Sequence, residues 1–85
     1  LALKNDINSS RVFFERALIL DPKNGKIHFN FAVFLFQRDY REKAVFHFLK
    51  AIALGVPKNH IVNFLKNNEE MIFLLISKGF GFWKK

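Results

Sequence analysis

Laid along itself so that Ser10 falls on Ala44, the chain meets its own echo. Phe14 then falls on Phe48, Ala17 on Ala51 and Leu20 on Leu54. Just beyond, Asp21-Pro22-Lys23-Asn24 answers Val56-Pro57-Lys58-Asn59 with a slip of one, and Gly55 reads as the insertion. A period of this size, about 34 residues, is the mark of a repeat built from one supersecondary unit. It narrows the possible folds more than any other feature of the sequence.

The spacing inside each unit is helical. Ala44, Phe48 and Ala51 follow one another at i, i+4 and i+7, on one helix face. Small residues at 44 and 51 admit a second helix at close range, and Phe48 fills the space between them. Pro57 cannot continue the helix, so the chain turns there. Upstream, His28, Phe31, Ala32 and Leu35 mark one face of another helix, expected over residues 26–37. The short connection at Asp39-Tyr40 makes the two helices antiparallel neighbours.

The tetratricopeptide family has the pattern Trp-x2-Leu-Gly-x2-Tyr, then Ala-x3-Phe, Ala and Pro. His28-x2-Phe31-Ala32-x2-Leu35, Ala44-x3-Phe48, Ala51 and Pro57 resemble it, with the second half closer than the first. The resemblance covers about two-thirds of the chain. It implies an all-α fold in which antiparallel helical hairpins stack as a solenoid fragment. Residues 1–24 would be the end of a first repeat, 25–57 a full repeat, and 58–85 an atypical helical cap with an aromatic, basic tail. After Pro57 the repeat register lapses, because Lys66 or Asn67 stands where the small Ala32 should recur. Asn67-Asn68 is expected to divide this part into two short helices, with Glu69-Glu70 at a helix N-terminus.

In that family the first helix of each hairpin lines a concave wall. The resemblance places Lys26, Phe29, Asn30, Val33, Phe36 and Gln37 on it. Phe29 and Val33 occupy central positions where the family's clamp for acidic C-terminal tails has polar residues. The implied ligand is therefore an apolar or aromatic protein segment, with Asn30 and Gln37 supplying hydrogen bonds. The competing expectation is that Phe29, Val33 and Phe36 pack permanently against an adjacent subunit or neighbouring repeats of a longer chain. Twelve Phe in a chain of 85 residues that is 51% hydrophobic is more apolar surface than one small core hides, and self-association is a further expectation if Leu1 is a true terminus.

Other function classes are weighed on the same residues. The lack of cysteine excludes disulfides, Cys-based zinc sites and thiol catalysis. The separations of His28, His47 and His60 along the chain fit no helical metal motif. Glu69 and Glu70 point about 100° apart on a helix and make no facing carboxylate pair. No Gly-rich phosphate loop or nucleophile elbow is present. Neither catalysis nor a cofactor is expected. The longest uninterrupted apolar run is Met71 to Ile76, far short of the roughly 18–20 residues of a membrane span. Asn8-Ser9-Ser10 has the form of a glycosylation triplet, but it sits where a helix is expected to start.

The charge of +7 is spread along the chain without a dense basic block. Lys78-Gly79-Phe80-Gly81-Phe82 matches the opening of the aromatic RNA-binding strand of the RNA recognition motif, whose rings stack on bases. Trp83 and Lys85 depart from that strand, and a helical context precedes it. Nucleic-acid contact through Phe80, Phe82, Trp83 and Lys84 is the alternative function, and a tail docked on a helix or a partner the plainer one.

Overall fold

The computed structural model describes residues 7–79, with side chains from Ser9 onward. These residues form five helices, α1 (Ile7–Leu20), α2 (Gly25–Gln37), α3 (Arg41–Ala53), α4 (Lys58–Asn67) and α5 (Glu69–Ser77), and no strand. None is long and apolar enough to cross a membrane. The expected helix over 26–37 and the break at Asn68 are both found. A single residue, Asn68, closes α4 and opens α5, and its amide donates to the Phe64 carbonyl at 2.9 Å.

Local chemistry explains the boundaries. Asn24 caps α2, its side-chain oxygen accepting from the Ile27 N–H at 3.0 Å. The C-termini of α2 and α3 close in the same way. The Tyr40 N–H donates to the Leu35 carbonyl and the Asp39 N–H to Phe36, while Val56 donates to Ala51 and Gly55 to Ile52. This pair of bonds needs a left-handed residue after the helix. Gly55 supplies it at φ 92°, which explains the residue read as an insertion, whereas Asp39 adopts φ 68° without a glycine's freedom. Gly25 has a different reason. A Cβ there would lie 3.0 Å from Val56 Cγ2 and 3.2 Å from Leu54 Cβ, so its lack of a side chain lets α2 start against the turn after α3.

α2 and α3 form the antiparallel hairpin, with His28 against His47, Phe29 against Phe48 and Gly25 beside Ala51. Ala32, Leu35, Ala44, Phe48, Ala51, Met71 and Leu75 are fully buried. The small residues of the repeat pattern thus lie where helices meet. α1 reaches this core through Phe14, which stacks on Phe31 with centroids 5.0 Å apart. α5 closes it with Met71 and Leu75, and the Arg41–Glu70 and Lys78–Glu42 ion pairs tie α5 to the start of α3.

One polar chain runs through the hairpin. His28 is buried, with Nε2 2.9 Å from the Pro22 carbonyl and Nδ1 3.0 Å from His47 Nδ1. A carbonyl only accepts, so His28 donates from Nε2, and a single Nδ1–H is shared between the two rings. Burial, His28, Lys43 and Lys50 push the His47 pKa down to about 4. The unfolded chain therefore binds this proton first. Stability is fully present above the unfolded value near 6.5 and is lost as pH falls from there toward 4. The midpoint of thermal unfolding should be lower at pH 5 than at pH 7, and the difference should shrink in His47→Leu. A wild-type midpoint that does not move between these pH values would contradict the assignment.

Candidate functional site

The α2 face expected to bind a partner borders a groove whose other side is α4. Two clefts occupy it. The larger, about 440 Å³, lies among Gly25, Lys26, Phe29 and Asn30 of α2, the turn Leu54–Pro57, and His60. The smaller, about 280 Å³, lies among Phe29 and the α4 side chains of His60, Asn63, Phe64 and Asn67, with Asn68 at its end. Phe29 and His60 border both, so the clefts meet at these residues. Among the described residues no acidic side chain lines either one.

The expected wall residues divide into three groups. Lys26, Asn30 and Gln37 are exposed, and Phe29 and Val33 are half-buried. Phe36 is buried and is a core residue, not a wall residue. Its ring lies edge-on to Phe64 at 5.8 Å, with the Arg41 guanidinium 5.2 Å from its centroid. Phe64 acts as a wedge between helices, also meeting Phe29 at 6.0 Å and Phe48 at 5.6 Å. The groove thus runs along Lys26, Phe29 and Asn30, and the Phe36 end of the face is covered by this chain itself.

The α4 side of the groove was missed in the sequence. His60 stands one repeat step after Lys26, Asn63 one step after Phe29, and Asn67 one step after Val33. Carrying the same step past Pro57 on the wall positions would have found them. The small-residue positions hid the register, because Ala32 has no small counterpart in α4. On the groove's chemistry, Asn67 donates to the Asn63 carbonyl at 3.1 Å, which leaves its side-chain oxygen as an acceptor. Phe29 and Val56 offer apolar surface, Asn30 and Asn63 offer both donors and acceptors, and Lys26 adds a positive charge.

Among the described residues no group of three or more potential ligands could hold a metal. Of the histidines, His28 and His47 belong to the hairpin's polar chain, and His60 to the groove. Phe80, Phe82, Trp83 and Lys84 lie outside the described residues. Comparison with protein-family models, curated proteins and solved structures found no match.

Proposed function

We propose that the chain is a non-catalytic, tetratricopeptide-like scaffold whose α2–α4 groove receives an extended apolar or aromatic segment of a protein partner. One observation carries this reading. Residues one repeat step apart, Lys26 with His60 and Phe29 with Asn63, line the same continuous pair of clefts. A segment laid between them would bury a side chain against Phe29 and Val56. Its peptide groups would exchange hydrogen bonds with Asn30 and Asn63. Lys26, with no acidic side chain beside it in the groove, would favour a segment with an acidic neighbour to its anchor.

Terminally blocked octapeptides carrying Phe, Leu or Asp at alternate positions, each with a fluorophore, provide the probe. Anisotropy titration should show the Phe and Leu peptides binding and the all-Asp peptide not. Phe29→Ser and Asn63→Ala should each weaken binding about tenfold, the loss of roughly 1.4 kcal/mol. Affinity should change little between low and high salt. The alternative, nucleic-acid binding by Phe80, Phe82, Trp83 and Lys84, predicts the opposite: steep salt dependence with single-stranded RNA and no effect of Phe29→Ser.

A further inference from the structure

Of the asparagines in the sequence, Asn24 alone precedes a glycine. Gly25 has no side chain to shield its nitrogen, and its backbone turns freely. That nitrogen is therefore a ready nucleophile toward the carboxamide carbon of Asn24. Gly25 is also the first residue of α2, so its N–H takes no part in the helix's own hydrogen bonds.

The folded turn holds this reaction back. Ring closure requires the Asn24 side chain and the Gly25 nitrogen on the same side of the bond between Cα and the carbonyl carbon. At ψ 100° they lie on opposite sides. Two hydrogen bonds fix the carboxamide there. Nδ2 donates to Asp21 Oδ2 at 3.0 Å, and Oδ1 accepts from the Ile27 N–H at 3.0 Å. The first of these bonds is exposed, as are Asp21, Pro22 and Lys23 around it. The restraint thus sits at the surface, where a local opening releases it without unfolding the core.

We propose that Asn24 is a modification site, converted through a cyclic imide to isoaspartate by way of openings of the turn between α1 and α2. The Gly25 nitrogen bonds to Cγ and gives up its proton, and Nδ2 departs as ammonia. Water then adds to one of the two imide carbonyls and breaks its bond to that nitrogen. Opening at the side-chain carbonyl gives aspartate, and opening at the main-chain carbonyl gives isoaspartate. Water is the sole co-reactant, and nothing is oxidised or reduced.

The two products act differently on α2. Aspartate still caps Ile27, but its carboxylate faces Asp21 where a hydrogen bond stood, so like charges oppose each other. Isoaspartate adds a methylene to the main chain just before Gly25 and turns the capping oxygen into a main-chain carbonyl. Gly25 is packed too closely to absorb the shift, since even a Cβ there would lie 3.0 Å from Val56 Cγ2. The start of α2 must then move off the turn after α3, and both border the larger cleft. Loss of peptide binding follows. This last step rests on the groove reading above, whereas the chemistry at Asn24 does not.

Incubation of the chain at mildly alkaline pH, followed by peptide mapping, tests it. Isoaspartate should accumulate at residue 24 ahead of every other asparagine, and at least about tenfold faster in urea that unfolds the chain than in the folded chain. Asp21→Ala removes one of the two restraints at an exposed position. It should speed the folded reaction about three- to tenfold and leave the unfolded rate unchanged. Asn24→Ser keeps a cap and should form no product at this position. In the modified fraction the Ile27 amide should exchange with solvent faster, and the fluorescent Phe peptide should bind only the unmodified fraction. The proposal is overturned if the folded chain forms no product at Asn24, if folded and unfolded rates are equal, or if aspartate forms without isoaspartate. A Phe peptide that fails to bind fresh chain speaks against the groove reading alone, because mapping and amide exchange still decide the modification.

Discussion

Phe48→Ala should destabilise the folded chain by about 3–5 kcal/mol, whereas Phe46→Ala, on the same helix, should stay within about 0.5 kcal/mol. The two side chains differ in where they point. Phe48 is 0% exposed and touches Phe29 and Phe64, while Phe46 is 57% exposed. Removing the Phe48 ring opens a cavity between Ala44 and Ala51, neither of which can fill it. A chain of this length stands near the lower end of the ordinary range of about 5–15 kcal/mol. The alanine variant should therefore be substantially unfolded in mild urea at a concentration where the wild type is intact. Equal urea midpoints for Phe48→Ala and Phe46→Ala would refute the packing described for α3.

Phe64→Ala is expected to have the next largest effect, about 2–4 kcal/mol, and to act in two places. Phe64 is only partly buried, yet its ring meets those of Phe29, Phe36 and Phe48. Its loss uncovers Phe36 and joins the end of the smaller cleft to the core. Urea titration should show the lower midpoint. Phe64→Leu should recover part of the stability, because it restores volume without the edge-to-face geometry. Asn63→Ala, on the adjacent solvent side, should leave stability within about 0.5 kcal/mol. A Phe64→Ala change below about 1 kcal/mol would mean that α4 is not wedged against the hairpin.

Much of the helix layout was legible because its signals are local. The face formed by His28, Phe31, Ala32 and Leu35 predicts α2 closely, and Asn68 was visible as a break through its poor helix propensity and its partner Asn67. The stacking of Ala44, Phe48 and Ala51 into the core followed from small and large residues alternating on one face. Phe36 was misplaced because what buries it, Phe64, lies two helices further along the chain, and a periodicity on one helix does not report which neighbour covers it. The hydrogen-bonded pair of His28 and His47 was equally hidden. Each histidine alone reads as a surface or packing residue, and only antiparallel pairing brings them to 3.0 Å. The groove was half legible, through α2. Its α4 half lay behind a register whose small residues had been replaced.

Arg41 has a consequence that reaches across the molecule. One guanidinium pairs with Asp39 at 2.9 Å, pairs with Glu70, and covers the Phe36 ring. The strained left-handed bend after α2 and the seating of α5 are thus secured by the same side chain, so neither can loosen without weakening the other. α1 is held to α2 by Phe14 against Phe31 and Phe34, and to the turn after α2 by Arg11 over the Tyr40 ring. The turn after α2 and the packing of α5 are coupled through one side chain, and Arg41→Ala should loosen both at once, read as faster amide exchange at Tyr40 and at Met71.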